Sequence, residues 1–290
     1  FRYKMTFSKI RVRYAPSPTG EPHLGNIRTA LFDWLIARNA SGEFIVRVED
    51  TDQARKIEGA IDLQKASLEW LGLDWKYPIH RQSDHLDNYK AALDLLKQMD
   101  LLYPCFCTRK EILREIAQSN RAPHKLEPGS FLNIYPGTCR NYSNEERQAQ
   151  LASGTPFTLR LDVLRALSIV RSIQWIDSDE GAIQARPELF GDVILARKDV
   201  PTSYHLSVTV DDNLQNINLV TRGKDLRLVT HIHRLLQELL GYNVPKYQFH
   251  PLLLGKNGHK YSKSDPTLTV KTLRDSGYTP KNIRKMVGFG

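Results

Sequence analysis

Residues 13–26 read RYAPSPTGEPHLGN. Before this stretch, residues 10–14 alternate apolar and polar as a strand does; after it, residues 27–39 carry helical spacing. The turn between them holds Pro16, Pro18, Pro22, Gly20, Gly25 and a single histidine, His23. Proline fixes φ, so this turn is stiff before any ligand arrives. A rigid turn from a strand onto a helix start presents unpaired N–H groups and the positive end of a helix dipole, which suits an anion. Gly25 permits close backbone approach by a flat ligand, and the His23 imidazole can donate to a phosphate oxygen.

Working outward, residues 44–48 read as a second strand, with Ser41-Gly42 as the helix stop before it. Helical spacing follows over 57–71, with Ile57, Ile61, Leu68 and Leu71 on one face, and over 86–99. This rhythm predicts an α/β fold, a Rossmann-like parallel sheet with helices on its faces and ligands at the carboxyl ends of its strands. Glu49 lies at such an end. From 102 to 196 the rhythm breaks, which predicts an inserted unit of mixed structure. It resumes with predicted strands at 206–210, 217–221 and 251–254 and an amphipathic helix at 228–240. The expected organisation is a discontinuous nucleotide-binding core (1–101 and 197–264), an insertion (102–196) and a short, basic helical segment (265–290).

The chain has 290 residues, 41% hydrophobic and 25% charged. It has no apolar run near the roughly 20 residues that span a bilayer, and its start lacks a signal-peptide pattern. The net charge of +9 is lopsided. From Ala196 onward there are 15 Lys and Arg against 7 Asp and Glu, so the first 195 residues carry only +1. A basic half suits a polyanionic partner such as RNA or a nucleotide, although a solvated basic face would read the same way. Three cysteines, an odd number, argue against a disulfide framework and for a reducing, cytoplasmic setting. A monomer is expected.

Neither a G-x-G-x-x-G nor a G-x-x-x-x-G-K-[ST] string occurs. Residues 255–264, GKNGHKYSKS, instead combine glycines with Lys260 and Lys263. Lysine is a compact charge suited to phosphate, though alone this string fits a basic surface hairpin equally well.

HLGN at 23–26 together with KYSKS at 260–264 resembles the paired HIGH and KMSKS signatures of the class I aminoacyl-tRNA synthetases, in the right order and with a domain-sized insertion between them. RYAPSPTG is similar to the glutamyl-type enzymes, as are VEDTD (48–52), VDDNL (210–214) and TRGKDL (221–226). YPCFCT and IYPGTCR resemble a truncated subfamily, the glutamyl-queuosine tRNA(Asp) synthetases. The chain ends soon after the lysine string, so no anticodon-binding domain is expected. The resemblance implies ATP with Mg2+, L-glutamate and tRNA(Asp) carrying queuosine as partners. It implies His23, Lys260 and Lys263 as catalytic residues, with His23, Gly25 and Lys263 at ATP. It further implies Arg13, Ser17, Glu49, Tyr204 and Arg222 around glutamate, Arg13 near a substrate carboxylate and Glu49 at the ammonium. The catalytic core of a conventional glutamyl-tRNA synthetase, or a non-catalytic RNA-binding descendant of one, are the alternatives. Intact His23, Lys260 and Lys263 argue against the second.

All three cysteines, Cys105, Cys107 and Cys139, fall in the insertion. Thiolates suit structural Zn2+, which takes four ligands. The residues leave the fourth open, with His124 one choice; the resemblance implies Tyr135, in Y-x3-C, across an unusually long intervening segment.

Overall fold

A computed structural model describes residues 9–118, 134–253 and 268–289. The chain begins β1 (Arg11–Tyr14), α1 (Leu24–Asn39), β2 (Glu43–Val48), α2 (Ala60–Trp70), β3 (Lys76–Arg81) and α3 (Leu86–Gln98). β1, β2 and β3 form a parallel sheet in that order, with Arg13 opposite Ile45 and Tyr14 opposite Val46. β1 and β2 are buried along nearly their whole length, as parallel strands covered on both faces are.

The middle of the chain holds β4 (Leu102–Cys105), α4 (Arg109–Gln118), α5 (Asn144–Ala152), β5 (Thr158–Leu161), α6 (Val163–Ile169), β6 (Gln174–Asp177), β7 (Gly181–Gln184) and β8 (Ile194–Ala196). β4, β5 and β8 make a separate antiparallel sheet. The rest comprises α7 (Tyr204–Leu214), β9 (Leu219–Gly223), α8 (Thr230–Leu240), β10 (Lys246–His250), α9 (Val270–Asp275) and α10 (Pro280–Met286). β9 and β10 pair in parallel, and β6 and β7 from the middle segment extend their sheet to the order β7-β6-β10-β9.

β1 and β9 stand side by side where these two sheets meet. Asn218 locks the seam: its Oδ1 accepts from the Arg11 N–H at 2.8 Å and its own N–H donates to the Arg11 carbonyl at 3.3 Å. β2 and β3 run off to one side of this seam and β10, β6 and β7 to the other. Such a reversal of strand order opens a crevice at the strands' carboxyl ends. α1 buries Leu24, Ile27, Leu31 and Trp34 against β1 and β2, and Leu273, Ile283 and Val287 from the C-terminal segment join that core.

Three expectations need correction. Residues 206–210 lie in helix α7, not in a strand. Residues 206–212 are all buried, and the Thr209 hydroxyl donates to the His205 carbonyl at 2.8 Å. Leu-Ser-Val-Thr-Val therefore alternates in polarity without alternating in burial. The strand expected at 251–254 lies earlier, at Lys246–His250; Pro251 has no N–H with which to continue a ladder. Helix α2 begins at Ala60, after Gly59 at φ +73°, and Ile57 is 51% exposed outside it. Strands β3 and β4, unforeseen, contain Pro78 and Pro104 and are both edge strands, where proline is tolerated.

Candidate active site

The turn after β1 is built as its prolines require. The Pro16 carbonyl accepts from the Glu49 N–H at 3.0 Å and the Pro18 carbonyl from the Ile57 N–H at 2.9 Å. Gln64 Nε2 donates to the carbonyls of Ser17 and Gly20. The helix then starts at Leu24, three residues earlier than its apolar spacing predicts, because His23 is its N-cap. His23 Nδ1 accepts from the Gly25 N–H at 3.0 Å, and Asn26 Oδ1 accepts from the His23 N–H at 3.2 Å. With Nδ1 an acceptor, the neutral ring carries its proton on Nε2.

His23 and Gly25 line a cleft of about 290 Å3 at the β1/β9 seam, together with Arg13, Glu49, Tyr204 and Arg222. Residues far apart in the chain thus meet at one place. Ser17 lines an adjoining cavity that shares Ala15, Pro16 and Asn26 with this cleft. Lys260 and Lys263 lie outside the described residues. The chain enters that gap from Leu252 and Leu253 in the cleft wall and leaves it where Thr269 bridges His23 and the Val270 N–H donates to the Pro22 carbonyl at 3.0 Å.

Beneath the cleft lies a buried charge network. Arg13 Nε donates to Asp212 Oδ1 at 2.8 Å and Nη1 to the Thr221 carbonyl at 3.2 Å. Arg47 Nη1 donates to the same Asp212 oxygen at 2.8 Å, and its guanidinium lies 3.6 Å from Glu49 and 3.8 Å from Asp211. Burial pushes the Asp212 carboxyl up, but Arg13 and Arg47 outweigh it and hold it down to about 2. Burial pushes Glu49 above the usual carboxylate range despite Arg47 and Arg13. No role for Arg47, or for Asp212 within the VDDNL segment, is read from the sequence. The available signal for Arg47 was a lone charge inside the apolar run FIVRV.

Tyr204, at the start of α7, is 40% exposed and lines the open cleft. Arg222, on β9, is buried and its Nη1 meets His233 Nδ1 at 2.8 Å.

Asp33 lies under the same seam, fully buried, with the Thr221 hydroxyl donating to Oδ1 and no partner on Oδ2. Burial raises its carboxyl to about 8, against Thr221 and Arg13. The folded chain therefore keeps a proton that the unfolded chain gives up near pH 4. This contribution is nil below about pH 4, and stability falls as pH rises from there to about 8. Asp33→Asn is expected to flatten the decline of the thermal midpoint between about pH 5 and 8. An equal decline in both proteins would contradict the assignment.

In the middle segment the sulfurs of Cys105, Cys107 and Cys139 lie within 4.8 Å of one another, all as free thiols. Cys107 and Cys139 approach to 3.4 Å. Tyr135 Oη is 3.6 Å from the Cys107 sulfur and accepts from the Cys139 N–H at 2.9 Å. The Arg160 guanidinium stacks 3.9 Å from the Tyr135 ring centroid. A tetrahedral zinc with bonds of about 2.3 Å would place sulfurs about 3.8 Å apart, so this cluster can hold a metal ion. His124 lies outside the described residues. Among those residues no helix is long and apolar enough to cross a membrane.

Residues 9–289 match the catalytic domain of the class I tRNA synthetases for glutamate and glutamine. The chain is 40% identical to the glutamyl-Q tRNA(Asp) synthetase of Rhodobacter capsulatus, covering 96% of this chain and 99% of that protein. It is 40% identical to the protein of the same name from Nocardia farcinica, over 93% and 81% respectively. The crystal structure of the glutamate-tRNA synthetase of Elizabethkingia anophelis superposes with a TM-score of 0.77 at 29% identity, spanning 96% of this chain but 61% of that one. With its signature histidine capping α1 in a cleft where the parallel strands β1 and β9 of two sheets meet, the chain belongs to the class I tRNA synthetases for glutamate and glutamine.

Proposed function

We propose that the protein activates L-glutamate with ATP and transfers it to the queuosine base at the wobble position of tRNA(Asp). The observation that carries this reading is the gathering of His23, Arg13, Glu49 and Arg222 on one cleft, in a chain 40% identical to glutamyl-Q tRNA(Asp) synthetases.

Glutamate brings two carboxylates and an ammonium. Guanidinium forks suit the carboxylates, and Arg13 and Arg222 take that role. Glu49 accepts the α-ammonium, whose arrival favours the ionised form that burial alone disfavours. Tyr204 closes the pocket, and Ser17 supports the turn from its adjoining cavity. The substrate α-carboxylate is ionised at neutral pH and needs no general base. It attacks the α-phosphorus of ATP in line, forming the mixed anhydride as pyrophosphate leaves. His23 Nε2–H and the ammonium of Lys263, assisted by Lys260, offset the charge that spreads over the phosphates. Mg2+ bound to the nucleotide would supply further neutralisation of the same charge. In the second step a cyclopentene hydroxyl of queuosine attacks the acyl carbon and AMP leaves. The basic C-terminal half holds the tRNA backbone, so affinity should fall steeply with salt. The reading places the protein in the cytoplasm, as a monomer.

The experiment is glutamate-dependent ATP–pyrophosphate exchange without tRNA. Exchange under those conditions is the expected result; exchange only when tRNA(Glu) is added would favour the conventional synthetase.

Cys105, Cys107, Cys139 and Tyr135 are the proposed ligands of a structural Zn2+, with Arg160 balancing the negative charge of the set. Stoichiometric zinc is expected in the purified protein. Outer-shell partners alone are worth about 10–100-fold in metal affinity, so Cys139→Ser should weaken zinc retention by more than that range. Tyr135→Phe should release zinc to a chelator faster than wild type. Unchanged release would remove Tyr135 from the set.

A further inference from the structure

We propose that His233 is a positioning residue of the glutamate site, holding the Arg222 guanidinium through Nδ1 as a neutral acceptor, with His205 fixing its tautomer. The inference rests on the reading of the cleft given above.

A guanidinium only donates. The 2.8 Å contact between Arg222 Nη1 and His233 Nδ1 therefore requires Nδ1 to be unprotonated. A neutral His233 then carries its proton on Nε2, and Nε2 lies 3.2 Å from His205 Nδ1, which accepts it. The chain of hydrogen bonds runs one way, from β9 through α8 to the first turn of α7. His233 is 1% exposed, so water does not compete for its acceptor nitrogen.

The neutral partner distinguishes the cleft's two arginines. Arg13 is ion-paired inside the protein with Asp212, a carboxylate it shares with Arg47. Among the described residues no carboxylate lies within ion-pair distance of Arg222. A carboxylate in place of His233 would orient Arg222 equally well but neutralise it. An imidazole orients the fork and leaves its full charge for a carboxylate ligand, which favours glutamate over its uncharged amide, glutamine. The charged or titratable groups that face His233 are Arg222 on β9, Arg13 on β1, and His205 and Tyr204 on α7. Burial, then Arg222, His205 and Arg13, hold its protonation well below the ordinary histidine range. Protonation would remove the acceptor and set two cations face to face.

The test is ATP–pyrophosphate exchange with separate Michaelis constants for glutamate and ATP. His233→Leu is expected to raise KM for glutamate by about 10–100-fold, the usual worth of a hydrogen bond to a charged group, with KM for ATP little changed. His233→Asn, which can place an amide oxygen near the Nδ1 position, should recover most of that loss. His233→Asp should raise KM for glutamate while narrowing the preference over glutamine. For the wild type, KM for glutamate should stay level from about pH 8 to 6; a rise centred near the ordinary histidine pKa of about 6.5 would overturn the inference even if His233→Leu did not fold. A folded His233→Leu protein with unchanged KM for glutamate, or equal rises for glutamate and ATP in both the Leu and Asn variants, would also overturn it. Neither result would touch the glutamate-activating reading of the cleft, which fails if the wild type shows no glutamate-dependent exchange; the inference then fails with it.

Discussion

His23→Asn is expected to leave the fold intact and to lower glutamate-dependent ATP–pyrophosphate exchange by about 10²–10³, or roughly 3–4 kcal/mol, the usual loss for one donor aimed at developing charge. The substitution separates two jobs of one ring. Nδ1 caps α1 by accepting from the Gly25 N–H. Asparagine is among the best N-cap residues and supplies an oxygen for that bond. The Nε2–H has no counterpart in the shorter amide, so the loss should fall on the phosphate-stabilising role. An alanine at 23 would confound the result by removing the cap as well, worth about 1 kcal/mol. Lys263→Ala should cost exchange by a similar factor, about 10²–10³, if its ammonium has the proposed place at the same phosphates. The thermal midpoint of His23→Asn should match wild type within a degree or two. Near-normal exchange in either variant would take that residue out of the chemistry.

Asp212→Ala is expected to be the most damaging substitution for stability. One carboxylate holds both Arg13 and Arg47, buried beneath the cleft. Removing one partner of a buried pair leaves uncompensated charge and costs about 3–5 kcal/mol. For a chain of this size that corresponds to a fall of roughly 5–8 °C in thermal midpoint. KM for glutamate should rise as well, since Arg13 loses the fork that aims it. The control is Lys271→Ala, which breaks a pair whose side chains are both 58% exposed; solvent-screened pairs are worth about 0–1 kcal/mol. A midpoint for Asp212→Ala as high as that of Lys271→Ala would mean the network does not hold the site together.

The parts of the site that were readable in sequence are those set by local chemistry. Proline, glycine and a capping histidine act on their own neighbours, so the turn at 13–26 announced itself. Arg13, Glu49 and Arg222 sit at or beside the ends of strands, where a parallel sheet binds its ligands. The residues that support them were not legible, for two physical reasons. Asp212 and His205, where the hydrogen-bond chain from Arg222 through His233 ends, belong to α7, whose buried Ser and Thr imitate the alternation of a strand. Asp212 also meets Arg13 across 199 positions of chain, and nothing in either segment names the other. The same non-locality hid the pairing of β6 with β10, which ties the middle segment to the sheet of β9 and β10. The cysteine cluster was readable because Cys105, Cys107 and Cys139, the only cysteines of the sequence, all fall in one segment.

The most direct measurement is transfer of labelled glutamate to three purified RNAs: tRNA(Asp) carrying queuosine, tRNA(Asp) lacking it, and tRNA(Glu). Label on the first alone is the predicted outcome, lost when queuosine is absent. Label on tRNA(Glu), or on tRNA(Asp) regardless of queuosine, would contradict it.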